Sequence, residues 1–146
     1  LDGDNLRHGI SGDLGFSPDA RTENVRRSAH VATLIAEAGA VALVSLVSPY
    51  AADREMARAI HEERGIPFIE VFVDTSLEEC ERRDPKGLYA RARRGEITGF
   101  TGIDDPYERP ESPEVLLRTQ DVTPEAAVEY IIDVIPPRLG DESAES

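Results

Sequence analysis

The sequence AVALVSLVSPYAADREMARAIHEERGIPFIEVFVD, residues 40–74, decides the fold class. It begins with an apolar run, Ala40 to Val47, interrupted only by Ser45, which is typical of a strand buried on both faces. A helix is predicted over 52–64, and a second buried strand is predicted over 67–74. A strand, a helix and a strand with short connections form a right-handed βαβ unit. The sequence therefore predicts an α/β fold with a parallel sheet.

Further elements are predicted on both sides of this unit. Ser17 is a good N-cap and Pro18 suits the first helical position, so a helix is predicted over 18–38. The remaining predictions are a helix from Ser76 to about Arg83, a helix from Leu88 to Arg94, a strand over 115–118, and an amphipathic helix from Pro124 with Ala127, Tyr130, Ile131 and Val134 at core spacing. We expect one domain over residues 1–135, followed by a disordered acidic tail over 136–146.

Composition excludes several classes of partner. The chain has 146 residues and is 40% hydrophobic, which is enough for one core. Its net charge of -13 argues against a nucleic-acid or anionic-membrane partner. A single cysteine excludes an internal disulfide, and no stretch is predicted to cross a bilayer or to act as a signal sequence. We expect the protein to be cytoplasmic.

A polar cluster lies at the start of the chain, in the sequence LDGDNLR, residues 1–7. We interpret it as the end of a strand that breaks at Gly3 into a loop, where parallel sheets bind ligands. Asp2 and Asp4 can hold Mg²⁺ or accept a proton, and the planar fork of Arg7 suits phosphate or sulfate oxygens. An ordinary turn is the alternative, because Asp, Gly and Asn are common turn residues.

A basic run stands out in this acidic chain. Its members are Arg82, Arg83, Lys86, Arg91, Arg93 and Arg94. One interpretation is a solvated helix face, and the other is a cationic lid, about 82–104, that closes over phosphates.

Phe16 and Phe100 lie in glycine-containing loops with no obvious core to join. Two such rings can sandwich a purine, because stacking on a base contributes roughly 1–3 kcal/mol. Alternatively, each ring packs under its own loop. Together with the carboxylates and arginines, the sandwich predicts a site for phosphoryl transfer between nucleotides.

Six blocks of the sequence, in this order, resemble the adenylyl-sulfate kinase family. They are LDGDNLRHG (1–9), DLGFS (13–17), ENVRR (23–27), VSPY (47–50), DPKGLY (84–89) and GFTGID (99–104). The resemblance extends from Leu1 to about Ile135. It implies a three-layer α/β/α sandwich of the P-loop kinase type. It also implies a sulfate-assimilation enzyme that moves the γ-phosphoryl group of ATP, with Mg²⁺, onto the 3′-hydroxyl of adenosine 5′-phosphosulfate.

The same resemblance implies roles for individual residues. Asp4 would be the general base, and Asp2 and Asp4 would support Mg²⁺. The residues that would bind substrate are Arg7, Arg21 and Asn24 at the phosphosulfate and ribose, Phe16 and Phe100 at the adenine, and Lys86, Gly87, Leu88 and Thr101 in the lid. Ser48 matches a position assigned as a phosphoserine intermediate in related bacterial enzymes. Direct in-line transfer instead favours a serine that hydrogen-bonds substrate or backbone.

One part of the family pattern does not occur in residues 1–146. A kinase of this kind needs a P-loop, G-x-x-x-x-G-K-[ST], to hold the β and γ phosphates, and no such run is present. We therefore expect a fragment, truncated, cleaved or taken from a fusion with sulfate adenylyltransferase. Such a fragment would lack the first strand, the P-loop and the first helix. By itself it would have negligible turnover, and an uncovered apolar face would favour a homodimer or a partner contact.

Two other functions stay open from the sequence. A catalytically inert adenylyl-sulfate-binding fragment or regulatory pseudo-kinase would keep the substrate residues without catalysis. A kinase for another small hydroxyl compound, such as a sugar acid, is the third hypothesis. The paired phenylalanines argue against it, because a sugar acid has no purine face.

Overall fold

The computed structural model describes residues 1–136 of the chain. Its helices and strands in chain order are α1 (Gly3–Arg7), α2 (Pro18–Glu37), α3 (Ala51–Glu62), β1 (Val71–Asp74), α4 (Leu77–Arg83), α5 (Leu88–Arg93), β2 (Val115–Arg118) and α6 (Pro124–Val134). Apart from Pro136, the predicted tail lies outside the described residues. No helix in the described part of the chain is both long enough and apolar enough to span a bilayer.

The long helix α2 begins and packs as its sequence predicts. The hydroxyl of Ser17 accepts a hydrogen bond from the Ala20 N–H, and Pro18 occupies the first turn. Both features stabilise a helix N-terminus. α2 packs against α3 around a core of Val25, Ala29 and Ala57, on which Leu46, Met56, Ile60 and Phe68 also pack.

β1 and β2 form a parallel pair, in register from Val71 opposite Val115 to Asp74 opposite Arg118. The predicted parallel sheet is thus confirmed. Val115 is fully buried, whereas Val73 is 57% exposed. Phe72 is also buried and lies on the opposite face of the pair from Val115, so both faces are partly packed, and the predicted full burial fails at exposed positions such as Val73. The first strand is also shorter than the predicted 67–74.

The apolar run over 40–47 is not the buried strand that its composition predicts. Its one bridge pairs Ser45 with Asp2 in parallel, through hydrogen bonds from Ser45 N–H to the Leu1 carbonyl and from Gly3 N–H to the Ser45 carbonyl. A strand needs a continuous partner for its N–H and C=O groups, and within residues 1–136 this segment meets one only at Leu1 to Gly3. Leu43 is accordingly 68% exposed.

Two further predictions are corrected. The segment after Gly3 is not a loop, because Gly3–Arg7 forms the short helix α1. It is helical because the Asp2 side chain caps it, accepting from the N–H groups of Asp4 and Asn5. In α6, Tyr130 is half exposed instead of in the core. This helix packs on β2, and its Val128 and Ile132 side chains are also more than half exposed in the described chain.

Candidate functional site

A cavity of about 430 Å³ opens where α1, the first turns of α2 and the end of the 40–49 segment meet. Eight of the residues predicted to form the site line it, namely Asp2, Asp4, Arg7, Phe16, Arg21, Asn24, Ser48 and Lys86. The other four predicted residues, Gly87, Leu88, Phe100 and Thr101, do not line it. The fold thus brings predicted residues from Asp2 to Lys86 together around one cavity.

The two carboxylates at the cavity have different partners. One oxygen of Asp2 caps α1, whereas Oδ2 of Asp4 accepts a hydrogen bond from Lys86 Nζ at 2.9 Å. That hydrogen bond, followed by the ammonium charge, lowers the pKa of Asp4 and raises the pKa of Lys86. Both side chains of this pair are largely exposed, so the contact can exchange readily with solvent or ligand. Asp4 is therefore an ionised, accessible carboxylate at neutral pH.

Arg7 braces the loop that carries Phe16. Its Nη1 donates to the Gly15 carbonyl at 2.7 Å and to the Leu14 carbonyl at 3.3 Å. Its guanidinium carbon lies 4.4 Å from the centroid of the Phe16 ring, within cation–π range. Burial, with added repulsion from Arg21, lowers the pKa of Arg7. The ring of Phe16 is 64% exposed, so a stacking face is available.

Arg21 links the loops of the two predicted stacking residues. Its Nε donates to the Phe16 carbonyl at 3.1 Å, and its Nη2 donates to the Gly99 carbonyl at 2.8 Å. One guanidinium therefore holds the backbone of Phe16 and that of the residue before Phe100. The ring of Phe100 itself packs edge-on against Tyr89, with centroids 5.0 Å apart.

Two polar residues at the cavity wall carry unusual features. Asn24 is buried, and its Oδ1 has no hydrogen-bond partner within the described chain. A buried polar atom left unpaired costs about 1–3 kcal/mol, so a ligand donor there would be stabilising. Ser48 has a φ of 40°, in the left-handed region that non-glycine residues avoid at a cost of about 1 kcal/mol or more. Such strain is typical of functional positions.

The glycine-rich loop over 99–105 is more ordered than its composition suggests. The Asp104 carboxylate accepts from the N–H groups of Gly99 and Phe100, at 2.8 and 2.6 Å. These two bonds lower the pKa of Asp104. Gly102 N–H also donates to the Asp105 carbonyl at 2.7 Å. Hydrogen bonds within the loop therefore restrict the Phe100 backbone, although a glycine-rich sequence by itself would leave the backbone flexible.

The basic run is mostly neutralised by neighbouring glutamates. Arg82 and Arg83 both pair with Glu79, Arg93 pairs with Glu81, and Arg91 and Arg94 pair with Glu96. The solvated-face interpretation therefore fits these arginines. Lys86 is the member of the run that reaches the cavity.

Several residues that hold the site together were not predicted. Tyr50 donates to the Asp105 carboxylate at 3.0 Å, and Arg54 donates to the Ser48 carbonyl at 2.8 Å. Arg54 is buried on α3, where an arginine on the core side of an amphipathic helix was the signal available in the sequence. Asp104 was signalled by an acidic side chain directly after a glycine-rich loop.

Asp2 and Asp4 are the cavity carboxylates available to a divalent cation. No group of three or more His, Cys, Asp or Glu side chains with metal-binding geometry occurs in residues 1–136. Mg²⁺ typically takes one or two carboxylates and completes its octahedron with water and substrate phosphates. The two residues fit that pattern, with Asp2 retaining one oxygen beyond its capping role.

The arrangement joins an exposed carboxylate, a neighbouring lysine, two arginines and an open aromatic face around one cavity. A carboxylate can accept a proton from a bound hydroxyl, and the cations can balance an anionic ligand. The Phe16 ring can stack on a planar base. These groups suit an anionic nucleotide whose hydroxyl is the reacting group.

Comparison with known proteins gives concordant matches. The family model described as adenylylsulphate kinase matches residues 1–118. The bifunctional enzyme CysN/CysC of Mycobacterium tuberculosis is 56% identical over 135 residues, which are 92% of this chain and 22% of that protein. The adenylyl-sulfate kinase of Staphylococcus epidermidis is 54% identical over 132 residues, 90% of this chain and 65% of that protein.

A solved structure is similar over nearly the whole described chain. The Mycobacterium tuberculosis APS kinase CysC, in complex with AMPPNP and APS, has a TM-score of 0.87 and 57% identity. The match covers 92% of this chain and 77% of the mycobacterial one. This likeness confirms the predicted P-loop-type α/β fold. The chain spans about a fifth of the bifunctional relative and about two thirds of the staphylococcal one.

Proposed function

The chain belongs to the adenylylsulphate kinase family, and we propose that its cavity binds adenosine 5′-phosphosulfate as the acceptor of a phosphoryl group from ATP. The product would be 3′-phosphoadenylyl sulfate. The observation that carries the proposal is the position of Asp4, an ionised carboxylate at a cavity also lined by Arg7, Arg21 and Phe16. The mycobacterial relative solved with APS and AMPPNP supports this ligand class.

Asp4 would accept the proton of the 3′-hydroxyl as the phosphoryl group transfers. Phosphoryl transfer proceeds through a loose transition state, so a positioned carboxylate is adequate as a late proton acceptor. Lys86 holds Asp4 before the substrate is bound, and an anionic substrate would compete for the ammonium. The release of Lys86 would free Oδ2 of Asp4 to face the substrate hydroxyl.

Substrate binding is assigned to the cations and rings around the cavity. Arg7 and Arg21 would balance the phosphosulfate charge, and Asn24 would use its unpaired Oδ1 on a ribose hydroxyl. Phe16 would stack on the adenine. Phe100 would complete the sandwich by rotating its side chain away from Tyr89, while its backbone stays in place. Gly87, Leu88 and Thr101 would contact the substrate from the lid, over about 82–104.

Ser48 is assigned a hydrogen-bonding role. Its left-handed φ and its place at the cavity wall would present its hydroxyl or backbone to the substrate. In-line transfer from ATP to a hydroxyl requires no phosphoserine.

Mg²⁺ would be held by Asp2 and Asp4. When bound, the ion neutralises charge on the β and γ phosphoryl groups of ATP. We also propose a homodimer, a cytoplasmic location, and a link to sulfate adenylyltransferase. The composite name of the bifunctional mycobacterial relative supports a fusion partner.

The inert binding fragment is the second candidate. Identities of 54–56% to a named kinase and a bifunctional enzyme do not favour it. The test joins residues 1–146 to a glycine-rich ATP loop and supplies γ-labelled ATP with adenylyl sulfate. We expect labelled 3′-phosphoadenylyl sulfate, and a loss of about 100-fold or more in turnover for Asp4→Asn. Asp13→Asn, an exposed carboxylate paired with Arg27, is the control. Equal turnover of the Asp4→Asn and control proteins would exclude the base role.

A further inference from the structure

The guanidinium of Arg54, on α3, joins three separate parts of the chain beside the cavity. Nη1 donates to the Ser48 carbonyl at 2.8 Å, and Nη2 donates to the Glu108 carbonyl at 2.6 Å. Nε lies 2.7 Å from Oε1 of Glu70 but off the N–H direction, so this contact is an ion pair without an aligned hydrogen bond. The Arg54 side chain is 10% exposed, so few waters compete for these contacts.

Ser48 needs an external restraint because its φ of 40° is unfavourable for a residue with a side chain. Arg54 supplies that restraint at the Ser48 carbonyl. The next peptide units of the turn are held by Glu108. Its N–H donates to the Pro49 carbonyl at 2.8 Å, and its carboxylate accepts from the Ala51 N–H at 2.6 Å.

Residues 99–109 form an arm that runs between the cavity and α3. At one end the Gly99 carbonyl accepts from Arg21, a cavity residue, at 2.8 Å. Further along, the Asp105 carboxylate accepts from the Tyr50 hydroxyl at 3.0 Å. At the other end Glu108 is fixed by Arg54 and by the turn that carries Ser48. The arm that carries Phe100 is thus attached to the cavity wall at both ends.

We infer that Arg54 is a positioning residue for substrate binding, which holds the Ser48 turn and the Phe100 arm in their binding geometry before the substrate arrives. The inference rests on the proposed function, because it assumes that the cavity takes an adenine nucleotide. Without Arg54, the strained turn and the arm would sample other conformations and would have to be ordered during binding. That ordering would lower affinity without removing any direct contact with the ligand.

Arg58 offers a matched control on the same helix. It lies about one turn later, ion-pairs with Glu70 and Glu114, and stacks over the Phe68 ring. Its loss removes an arginine and partly buried charge contacts, one of them also with Glu70, but leaves the carbonyl contacts of Ser48 and Glu108 in place. A role in stability alone would therefore be shared by Arg54 and Arg58, whereas a positioning role belongs to Arg54.

The experiment compares Arg54→Gln and Arg58→Gln by calorimetric titration with adenylyl sulfate and by hydrogen exchange. We expect Arg54→Gln to bind at least fivefold more weakly than the wild type, and Arg58→Gln less than fivefold more weakly. The Ala51 and Glu108 amides, whose acceptors belong to this junction, should exchange at least tenfold faster in Arg54→Gln alone. If Arg54→Gln does not fold, Arg54→Lys replaces it with the same thresholds, because a lysine cannot reach both carbonyls and Glu70 at once.

Less than a fivefold loss of affinity in the folded Arg54 variant, or an equal loss in the two variants, would overturn the inference. A wild-type protein that binds no adenylyl sulfate would instead refute the proposed function. In that case the exchange rates of the two amides still decide whether Arg54 fixes the turn and the arm, since they need no ligand.

Discussion

Lys86 Nζ lies 2.9 Å from Oδ2 of Asp4, so the connection between α4 and α5 is tied to a carboxylate 82 positions earlier in the chain. Both side chains are exposed, so the pair contributes little to stability, and its main effect is on the protonation of Asp4. Its hydrogen bond lowers the pKa of Asp4, and in the proposed mechanism an anionic substrate would draw the lysine away.

The first prediction concerns the acidity of Asp4. In Lys86→Met, the pKa of Asp4 should rise toward its ordinary value, because its hydrogen bond and ion-pair partner is gone. A carbon-13 NMR titration of the Asp4 carboxyl group measures this directly. Since the pKa of Asp4 is lowered in the folded protein, the stabilisation by this pair is present above the ordinary pKa and is lost as the pH falls.

Arg82→Met serves as the control for that titration. Arg82 belongs to the same basic run but pairs with Glu79. The Arg82→Met substitution should leave the pKa of Asp4 unchanged. An Asp4 titration in Lys86→Met that matches the wild type would mean that the pair is not populated in solution.

The second prediction concerns base stacking on Phe16. Phe16→Ala should weaken adenylyl-sulfate binding by about 5- to 150-fold, the equivalent of roughly 1–3 kcal/mol per stacked base. The melting temperature should not change, because the ring is 64% exposed. Ile10→Ala removes another exposed apolar side chain, 53% exposed, and should leave the affinity unchanged. If Phe16→Ala binds adenylyl sulfate as tightly as the wild type, the adenine does not stack on the Phe16 ring.

The third prediction concerns the link between the two loops. Arg21→Gln should weaken adenylyl-sulfate binding by about tenfold or more, because it loses a cation at the cavity and frees the Phe16 and Gly99 carbonyls. Arg26→Gln, on the same helix, loses only an exposed pair with Glu23 and is the control. Calorimetric titration of both variants is the measurement. If Arg21→Gln and Arg26→Gln have equal affinities for adenylyl sulfate, the contacts of Arg21 with the two loops have no role in binding.

The fourth prediction concerns acid stability. The hydrogen-bonded pair with Arg58 lowers the pKa of Glu114 to about 2. The unfolded chain therefore binds the Glu114 proton at a higher pH than the folded chain, so the contribution of Glu114 to the free energy of unfolding falls between about pH 4.5 and pH 2. In Glu114→Gln, the decline in unfolding free energy over this range should be shallower.

Urea unfolding at several pH values measures that decline. The partly exposed pair also loses strength in salt, so the difference between variant and wild type should shrink at high ionic strength. Parallel curves for the two proteins between pH 4.5 and pH 2 would show that Glu114 does not titrate in the way its contacts imply.

The helices from α2 to α6 were predictable from the sequence because their signals are local, whereas α1 was predicted as a loop. Ser17 and Pro18 mark the start of α2, Ser76 caps α4, and Thr123 caps α6, each with its side-chain oxygen on an N–H three residues later. The parallel pairing of β1 and β2 also follows from the alternation of helices and strands.

The 40–47 segment was mispredicted because strand formation is not local. Its composition favours a strand, but a strand also needs a neighbour, and within the described residues Ser45 pairs only with Asp2. The apolar composition of residues 40–47 does not show which segment will pair with them.

The candidate site was partly predictable. Motif resemblance placed Asp4, Arg7 and Phe16 at one site, and the structure places all three around one cavity. Arg54 and Asp104, which hold the loops around the cavity, were not predicted. They act on backbone carbonyl and N–H groups, and the amino-acid sequence does not show which of these groups are near a side chain.

Whether the cavity binds adenylyl sulfate can be measured by calorimetric titration of the 146-residue chain. We expect saturable binding at one site per chain, weakened in Phe16→Ala and Arg21→Gln but not in Ile10→Ala or Arg26→Gln. A chain that circular dichroism shows to be folded, yet that gives no saturable heat at millimolar adenylyl sulfate, would contradict it.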